Sequence, residues 1–255
     1  SCCRLSTEQD QAPDYHHVDQ RDEHCGAADV LGSLGQLVVF QARVLDEHQA
    51  GQRLAQVRQA EIERLDDGRV KLAWSGQQRD GLDGLRVEAV AALDPAASAI
   101  RRTLRVEPPA DWQLRQVAFP QVAVADLGPQ ADVVFPRGSG EVQRGLWQRA
   151  FRYSGRYPSG WTSMQWMAAY DAVRHTGLYV AVHDPAAATK EIQLESRPAD
   201  RAVAFSFEHP AAGMDEPGKA FCVSGEAVWQ LLRGDWFDAA QIYRQWAVQH
   251  AKWWP

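Results

Sequence analysis

Apolar and polar positions alternate with a period of two along most of this chain, and that rhythm predicts the fold. Between Arg156 and Asp184 two strand-like runs, Ser163–Tyr170 and Leu178–Asp184, are joined by a polar segment that closes at Gly177. In the first run Met164, Trp166, Ala168 and Tyr170 share one face, while Gln165, Met167 and Ala169 share the other. In the second, Leu178, Val180 and Val182 oppose Tyr179, Ala181 and His183. Both faces are largely apolar, which predicts strands covered on both sides. Pro185 has no amide hydrogen to give a ladder, so the second strand should stop at His183 or Asp184, at the rim of the sheet. The hairpin is expected at the centre of a large β-sandwich.

The same period recurs on either side of it. A strand is expected from Gln36 to Val44; residues 52–65 fit either a helical face or a strand leading into a turn. Asp66-Asp67-Gly68 predicts a hairpin bend, because glycine accepts the positive φ of a tight turn. Val70, Leu72 and Trp74 then face inward, and Gln77–Gly84 reads as a polar loop. Leu85, Val87, Ala89, Ala91 and Leu93 form the inward set of the next strand. After a turn at Asp94–Ser98, Ile100, Leu104 and Val106 alternate with Arg101, Thr103 and Arg105. Pro108-Pro109 breaks that strand. Trp112–Asp126 follows with a slip of phase between Leu114 and Val117, the mark of a bulge. Val133–Arg137 leads into a loop or hinge at Gly138-Ser139-Gly140, and later strands are expected at Thr189–Glu195, Val203–Phe207 and Phe221–Leu232. Short strands split by Gly, Pro and Asp turns predict an all-β fold, a large antiparallel sandwich.

The period changes at the end. Trp236, Ala239, Ala240, Tyr243, Trp246, Ala247 and His250 recur at intervals of three and four, which predicts one amphipathic helix from Asp235 to about Lys252. Asp235 is placed to cap it. A chain ending Trp253-Trp254-Pro255 is expected to continue into further protein. The expected division is therefore a flexible arm at 1–30, a sandwich at 31–234 and a helix at 235–255 that leads toward a second domain.

Composition narrows the function classes. The chain is 45% hydrophobic and 24% charged, with a net charge of −6 and arginines scattered along it, which gives no reason to expect nucleic acid. No run approaches eighteen apolar residues, so no membrane-spanning helix is expected. The chain opens at Ser1 without methionine, compatible with removal of a leader or tag, and the four cysteines, Cys2, Cys3, Cys25 and Cys222, suggest no disulfide framework. His16, His17, His24 and Cys25 with Cys2 and Cys3 have no standard zinc-finger spacing, so no metal and no cofactor are expected. Seven of the ten tryptophans fall from Trp161 onward, and tryptophan serves as core filler and as a platform for sugar rings alike.

Three segments carry a resemblance: RYPSGWTSMQWMAAYD, LYVAVHDP followed shortly by TK, and GDWFDAAQIYRQWAVQHAKWW. Together they resemble a glycoside-hydrolase-like family in which a β-supersandwich of galactose-mutarotase-like topology precedes a TIM barrel, an arrangement similar to that of endo-α-N-acetylgalactosaminidases. The likeness covers roughly residues 69–255 and departs before about residue 40. It implies a sandwich whose partner is a C-terminal barrel and whose ligand is a carbohydrate, and it favours slightly a secreted or periplasmic over a cytoplasmic location.

In that architecture the two carboxyl groups of glycoside hydrolysis come from the barrel. The sequence nominates no such pair; Asp171 and Asp184 flank one hairpin but equally suit turn capping. The expectation is a non-catalytic domain lending rim residues to a cleft, with Arg137, Arg156, Tyr157, Trp161, Gln165, His183, Asp184 and Lys190 as substrate-binding candidates. Each has a structural counterpart reading: Tyr157 and Trp161 as loop anchors, Gln165 bonding neighbouring backbone, His183 as a hydrogen-bonded structural histidine. Two alternatives stay open. One is an aldose-epimerase-like enzyme using His183 or His175 with a carboxylate; the other is a stand-alone carbohydrate-binding module.

Overall fold

The computed structural model describes residues 41–46, 49–55, 61–75, 82, 84–213 and 215–254, with backbone alone for 41–46 and 49–55. In chain order the strands are β1 (Gln41–Asp46), β2 (Gln49–Ala55), β3 (Glu61–Arg64), β4 (Val70–Trp74), β5 (Arg86–Asp94), β6 (Ala99–Glu107), β7 (Trp112–Ala125) and β8 (Ala131–Phe135). They continue as β9 (Glu141–Arg144), β10 (Arg152–Tyr157), β11 (Trp166–Asp171), β12 (Thr176–His183), β13 (Lys190–Arg197), β14 (Ala202–Pro210), β15 (Phe221–Cys222) and β16 (Glu226–Leu232), and the chain ends on helix α1 (Trp236–His250). Two antiparallel sheets stack. The smaller runs β10-β13-β14-β7-β1-β2; the larger runs β3-β4-β5-β6-β16-β12-β11-β8-β9, with β15 added on β6.

The expected central hairpin is β11 and β12, inside the larger sheet, and its two apolar faces do different work. Met167, Ala169, Val180 and Val182 point between the sheets, where they meet Ile192, Leu194, Phe205 and Phe207 of the smaller one. Trp166, Ala168, Tyr170, Tyr179 and Ala181 point the other way and are roofed by Ala239 and Tyr243 of α1. A second inter-sheet cluster gathers Leu72, Trp74, Val87, Leu104, Trp112 and Phe119. Each large apolar side chain buried this way contributes roughly 1.5–3 kcal/mol. The central strands are therefore apolar on both sides because a sheet lies under them and a helix over them.

Local signals act as the chemistry requires. Gly68, with φ of 83°, turns the β3–β4 hairpin. Against β1, Arg43 lies opposite Gln116 and Val44 opposite Leu114, so Arg115 is the extra residue of the expected bulge. Gly138-Ser139-Gly140 is the tight bend of the β8–β9 hairpin. Residues 52–65, compatible with helix or strand, hold the end of β2 and all of β3. Leu93 departs from expectation: its strand runs past the cover, and the side chain is 70% exposed. Arg102 occupies an inward position of β6 that sequence reasoning passed over. The N-terminal arm and its histidines lie outside the described residues.

At α1 the Asp235 side chain accepts from the Phe237 amide at 2.7 Å, and the Asp238 carboxylate accepts from the Asp235 amide at 3.0 Å, a reciprocal box. Gly234 is required before it: φ is 142°, and a Cβ there would sit 1.9 Å from an Asp238 oxygen. Asp235→Ala is expected to lower stability by about 1 kcal/mol, read as a shift of the urea midpoint. An unchanged midpoint would show that packing alone holds the helix.

Candidate functional site

The eight nominated residues fall in three places. The first is a closed polar node at the end of β12. Pro185 stops the ladder, and the Asp184 side chain then takes over its orphan donors, accepting from the Ala186 amide at 2.9 Å and the Ala188 amide at 2.7 Å. Ser224 donates to its other side at 2.8 Å. Lys190 opens β13 on the same phase as Ile192 and Leu194, so it points between the sheets. There its Nζ donates to Asp184 at 3.1 Å, Gln165 Oε1 at 2.7 Å and the Ala188 carbonyl at 2.6 Å, above the Tyr157 ring at 4.9 Å. Gln165 Nε2 donates to the Asp184 carbonyl at 3.1 Å.

Gln165, Asp184 and Lys190 are each 0% exposed and Tyr157 is 3% exposed. Asp184, expected at the rim, lies beneath the 185–189 loop instead. Burial works to raise its carboxyl, but the Lys190 cation, Ser224 and the loop amides overcome it and hold it below the usual carboxylate range. Burial outweighs Asp184 at Lys190 and holds the ammonium below its ordinary value. This node of buried side chains ties the end of β12 in one sheet to β13 of the other. Its close packing extends to Gly225, where φ is 79° and a Cβ would lie 2.3 Å from the His183 carbonyl.

The second place is an open groove of about 560 Å³ lined by Arg137, Arg152, Arg156, Ser159, Trp161 and Thr162 among others. Two distant segments meet here. Arg137 bridges to Thr162, and the Gly138 amide donates to the Trp161 carbonyl at 2.8 Å. The Ser159 hydroxyl accepts from the Trp161 and Thr162 amides at 3.3 and 3.0 Å, a turn that leaves the Trp161 ring 72% exposed. Tyr153 and Thr162 hydroxyls bond at 2.7 Å in the floor. Arg137 also reaches Glu141 at 3.3 Å. An exposed indole beside guanidinium donors is a surface that can stack on a pyranose and bond its hydroxyls. Arg137, Arg156 and Trp161 are thus brought together, with Arg152 the member sequence reasoning missed.

The third place holds His183 alone of the eight. It faces α1, stacked on Trp246 at 4.6 Å and 16°, with Nε2 bonded to the Tyr179 hydroxyl at 2.9 Å. Burial, with smaller contributions from Arg101 and His250, presses its pKa down to about 3. The folded chain therefore resists protonating it, and stability is lost as pH falls below the ordinary histidine value toward 3. From about pH 7 to about pH 5.5, His183→Gln should lose roughly 1 kcal/mol less than the wild type, measured by urea titration. Equal losses would place the ring in water. The neighbouring Glu226, Gln230, Gln245 and Gln249 carried no sequence motif; strand register and one helix face unite them.

The two remaining residues weighed as possible catalysts, His175 and Asp171, lie together at the β11–β12 turn. His175 is exposed in the β11–β12 turn with φ of 50°, and Asp171 Oδ1 caps that turn through the Val173 and Arg174 amides at 3.0 and 3.1 Å. Among the described residues no group of three or more His, Cys, Asp or Glu could hold a metal ion, and no helix is long and apolar enough to cross a membrane.

No protein-family profile matches the chain. Over 131 residues it is 33% identical to a Monosiga brevicollis protein provisionally named a glycoside hydrolase, a match covering 47% of this chain and 10% of that protein. Among solved structures, the α-N-acetylgalactosaminidase NagBb of Bifidobacterium bifidum superposes with a TM-score of 0.59 at 12% identity, over 83% of this chain and 33% of the enzyme. The GH36 α-galactosidase AgaB of Geobacillus stearothermophilus gives 0.54 at 13% identity, over 83% and 32%. The chain thus spans about a tenth of its curated relative and a third of these enzymes. It shares with part of those glycosidase structures a common fold, the antiparallel β-sandwich.

Proposed function

We propose that the chain is a non-catalytic β-sandwich domain of a glycoside hydrolase, packed against a TIM-barrel domain and lending its rim groove to the carbohydrate cleft. The observation that carries this reading is the groove itself. It offers Trp161 and three arginines to a sugar, while the two carboxyl groups bonded to its lining are tied down, Glu141 by Arg137 and Glu191 by Ser154, where hydrolysis needs two free to act. The partial coverage of the glycosidases supports a further domain. So do Trp236, Phe237, Trp253 and Trp254, each at least 40% exposed along and after α1. On this reading the sandwich occupies 31–234, and 235–255 forms the join to the barrel.

The test compares the isolated chain with the full-length protein on nitrophenyl α-N-acetylgalactosaminide and α-galactoside. The chain alone should release no nitrophenol. In an active full-length protein, Trp161→Ala should raise KM about tenfold with kcat little changed, the signature of lost uniform binding. Hydrolysis by the chain alone, or rapid mutarotation of free galactose by it, would overturn the assignment.

A further inference from the structure

Beyond the rim groove, we infer that the cleft between helix α1 and the outer face of the larger sheet is a second binding site, built for a small neutral polyhydroxylated ligand such as a free mono- or disaccharide. Its floor comes from strand register. His183 lies opposite Glu226 and Tyr179 opposite Gln230 on β12 and β16, while Arg101 of β6 lies opposite Val228, so these side chains emerge on one face. Its wall is a helix face, with Trp246 next to Gln245 and Gln249 one turn apart. The open cleft measures about 390 Å³, within the range of small-molecule pockets.

The chemistry of the lining selects the ligand. Gln230, Gln245 and Gln249 each offer a donor and an acceptor, the pattern that matches hydroxyl groups, which also do both. Arg101 is already shared between Asp94 at 3.4 Å and Glu226 at 3.6 Å, so the cleft holds no unopposed guanidinium for an anion. The one carboxylate lining it is held by that same arginine, which leaves no free anion for an amine. An independent observation points to a missing partner. His183 is only 4% exposed, its Nε2 is taken by Tyr179, and its Nδ1 has no hydrogen-bond partner. Buried polar atoms are rarely left so, and because this one is closed to solvent a ligand hydroxyl supplies its bond only once a neighbouring side chain moves aside.

The experiment titrates the 255-residue chain with glucose, galactose, N-acetylgalactosamine and cellobiose, with glucuronate and glucosamine as charged counterparts. Binding is read from the NMR signals of the Trp246 indole N–H and the His183 imidazole. At least one neutral sugar should shift both saturably. The exposed pair Gln245→Ala with Gln249→Ala should weaken that binding about tenfold, whereas Trp161→Ala should leave it unchanged. The inference is overturned if no neutral sugar moves these two signals, if a charged sugar binds more tightly, or if the glutamine double variant binds as well as the wild type. A sugar that shifts only Trp161 occupies the rim groove, so the two sites succeed or fail separately.

Discussion

Lys190→Met should lower the unfolding free energy by about 3–5 kcal/mol, because it strands a carboxylate inside the protein. Lys190 and Asp184 are both fully buried, 3.1 Å apart, and belong to different sheets. The methionine keeps most of the stem volume, so the loss isolates the ammonium: its bonds to Asp184, Gln165 and the Ala188 carbonyl, and its contact with Tyr157. Asp184 keeps Ser224 and two amides, which limits the damage but leaves its charge uncompensated. Adding Asp184→Asn removes that charge, and the double variant should recover about 1–3 kcal/mol of the loss as a coupling energy. The pH dependence has a definite sign. Asp184 is held below the ordinary carboxylate value when folded, so its stabilisation is complete above that value and disappears as pH falls through its folded pKa. In Lys190→Met that acid sensitivity should diminish, since the cation that favours the ionised form has gone. A loss under about 1 kcal/mol at neutral pH would mean that water reaches the pair and that the node does not lock the sheets together.

The same node shows how far the sequence could be read. The hairpin phase already placed Gln165 with Met167 and Ala169, the face that turned out to lie between the sheets. Lys190 likewise alternates in step with Ile192 and Leu194. Both were nominated for the rim on residue type, when their period assigned them to the interior; the information was local and available. The bulge at Arg115, the Asp66-Asp67-Gly68 bend and the Asp235 cap were legible because each depends on a few neighbouring residues. Nothing local unites the rim groove. Arg137 and Trp161 belong to different loops, joined only because β8 and β11 pair and bring Arg137 against Thr162. The His183 cleft depends on still more, namely the register of β12 on β16, of β16 on β6, and the seat of α1 over all three. Period predicts which face a residue takes; only pairing decides whose company it keeps.

Arg102 is the residue whose removal should help. It sits on the inward phase of β6 opposite Ala227, 3% exposed, with its guanidinium carbon 3.5 Å from the Trp229 ring centre and 5.4 Å from that of Phe119. Its Nε and Nη2 find no hydrogen-bond partner. Burial alone drives its pKa down to about 9, a shift worth on the order of 5 kcal/mol against the folded state. Cation–π attraction to a desolvated indole returns about 2 kcal/mol, not enough to cancel it. Methionine fills the stem's place and offers a thioether to the same ring, so Arg102→Met should raise stability by about 1–3 kcal/mol, seen as a later urea midpoint with an unchanged slope. Between pH 9 and the ordinary arginine value the unfolded chain binds more protons than the folded one, so wild-type stability climbs with pH there. The variant's advantage should therefore shrink by about 1 kcal/mol on going from about pH 7 to about pH 10. Arg102→Lys, with a more strongly hydrated charge and no planar stack on Trp229, should be less stable than wild type. If the methionine variant were the weaker by more than about 1 kcal/mol, the stack on Trp229 would outweigh the burial of charge. That outcome would make the arginine a clasp between β6 and β16.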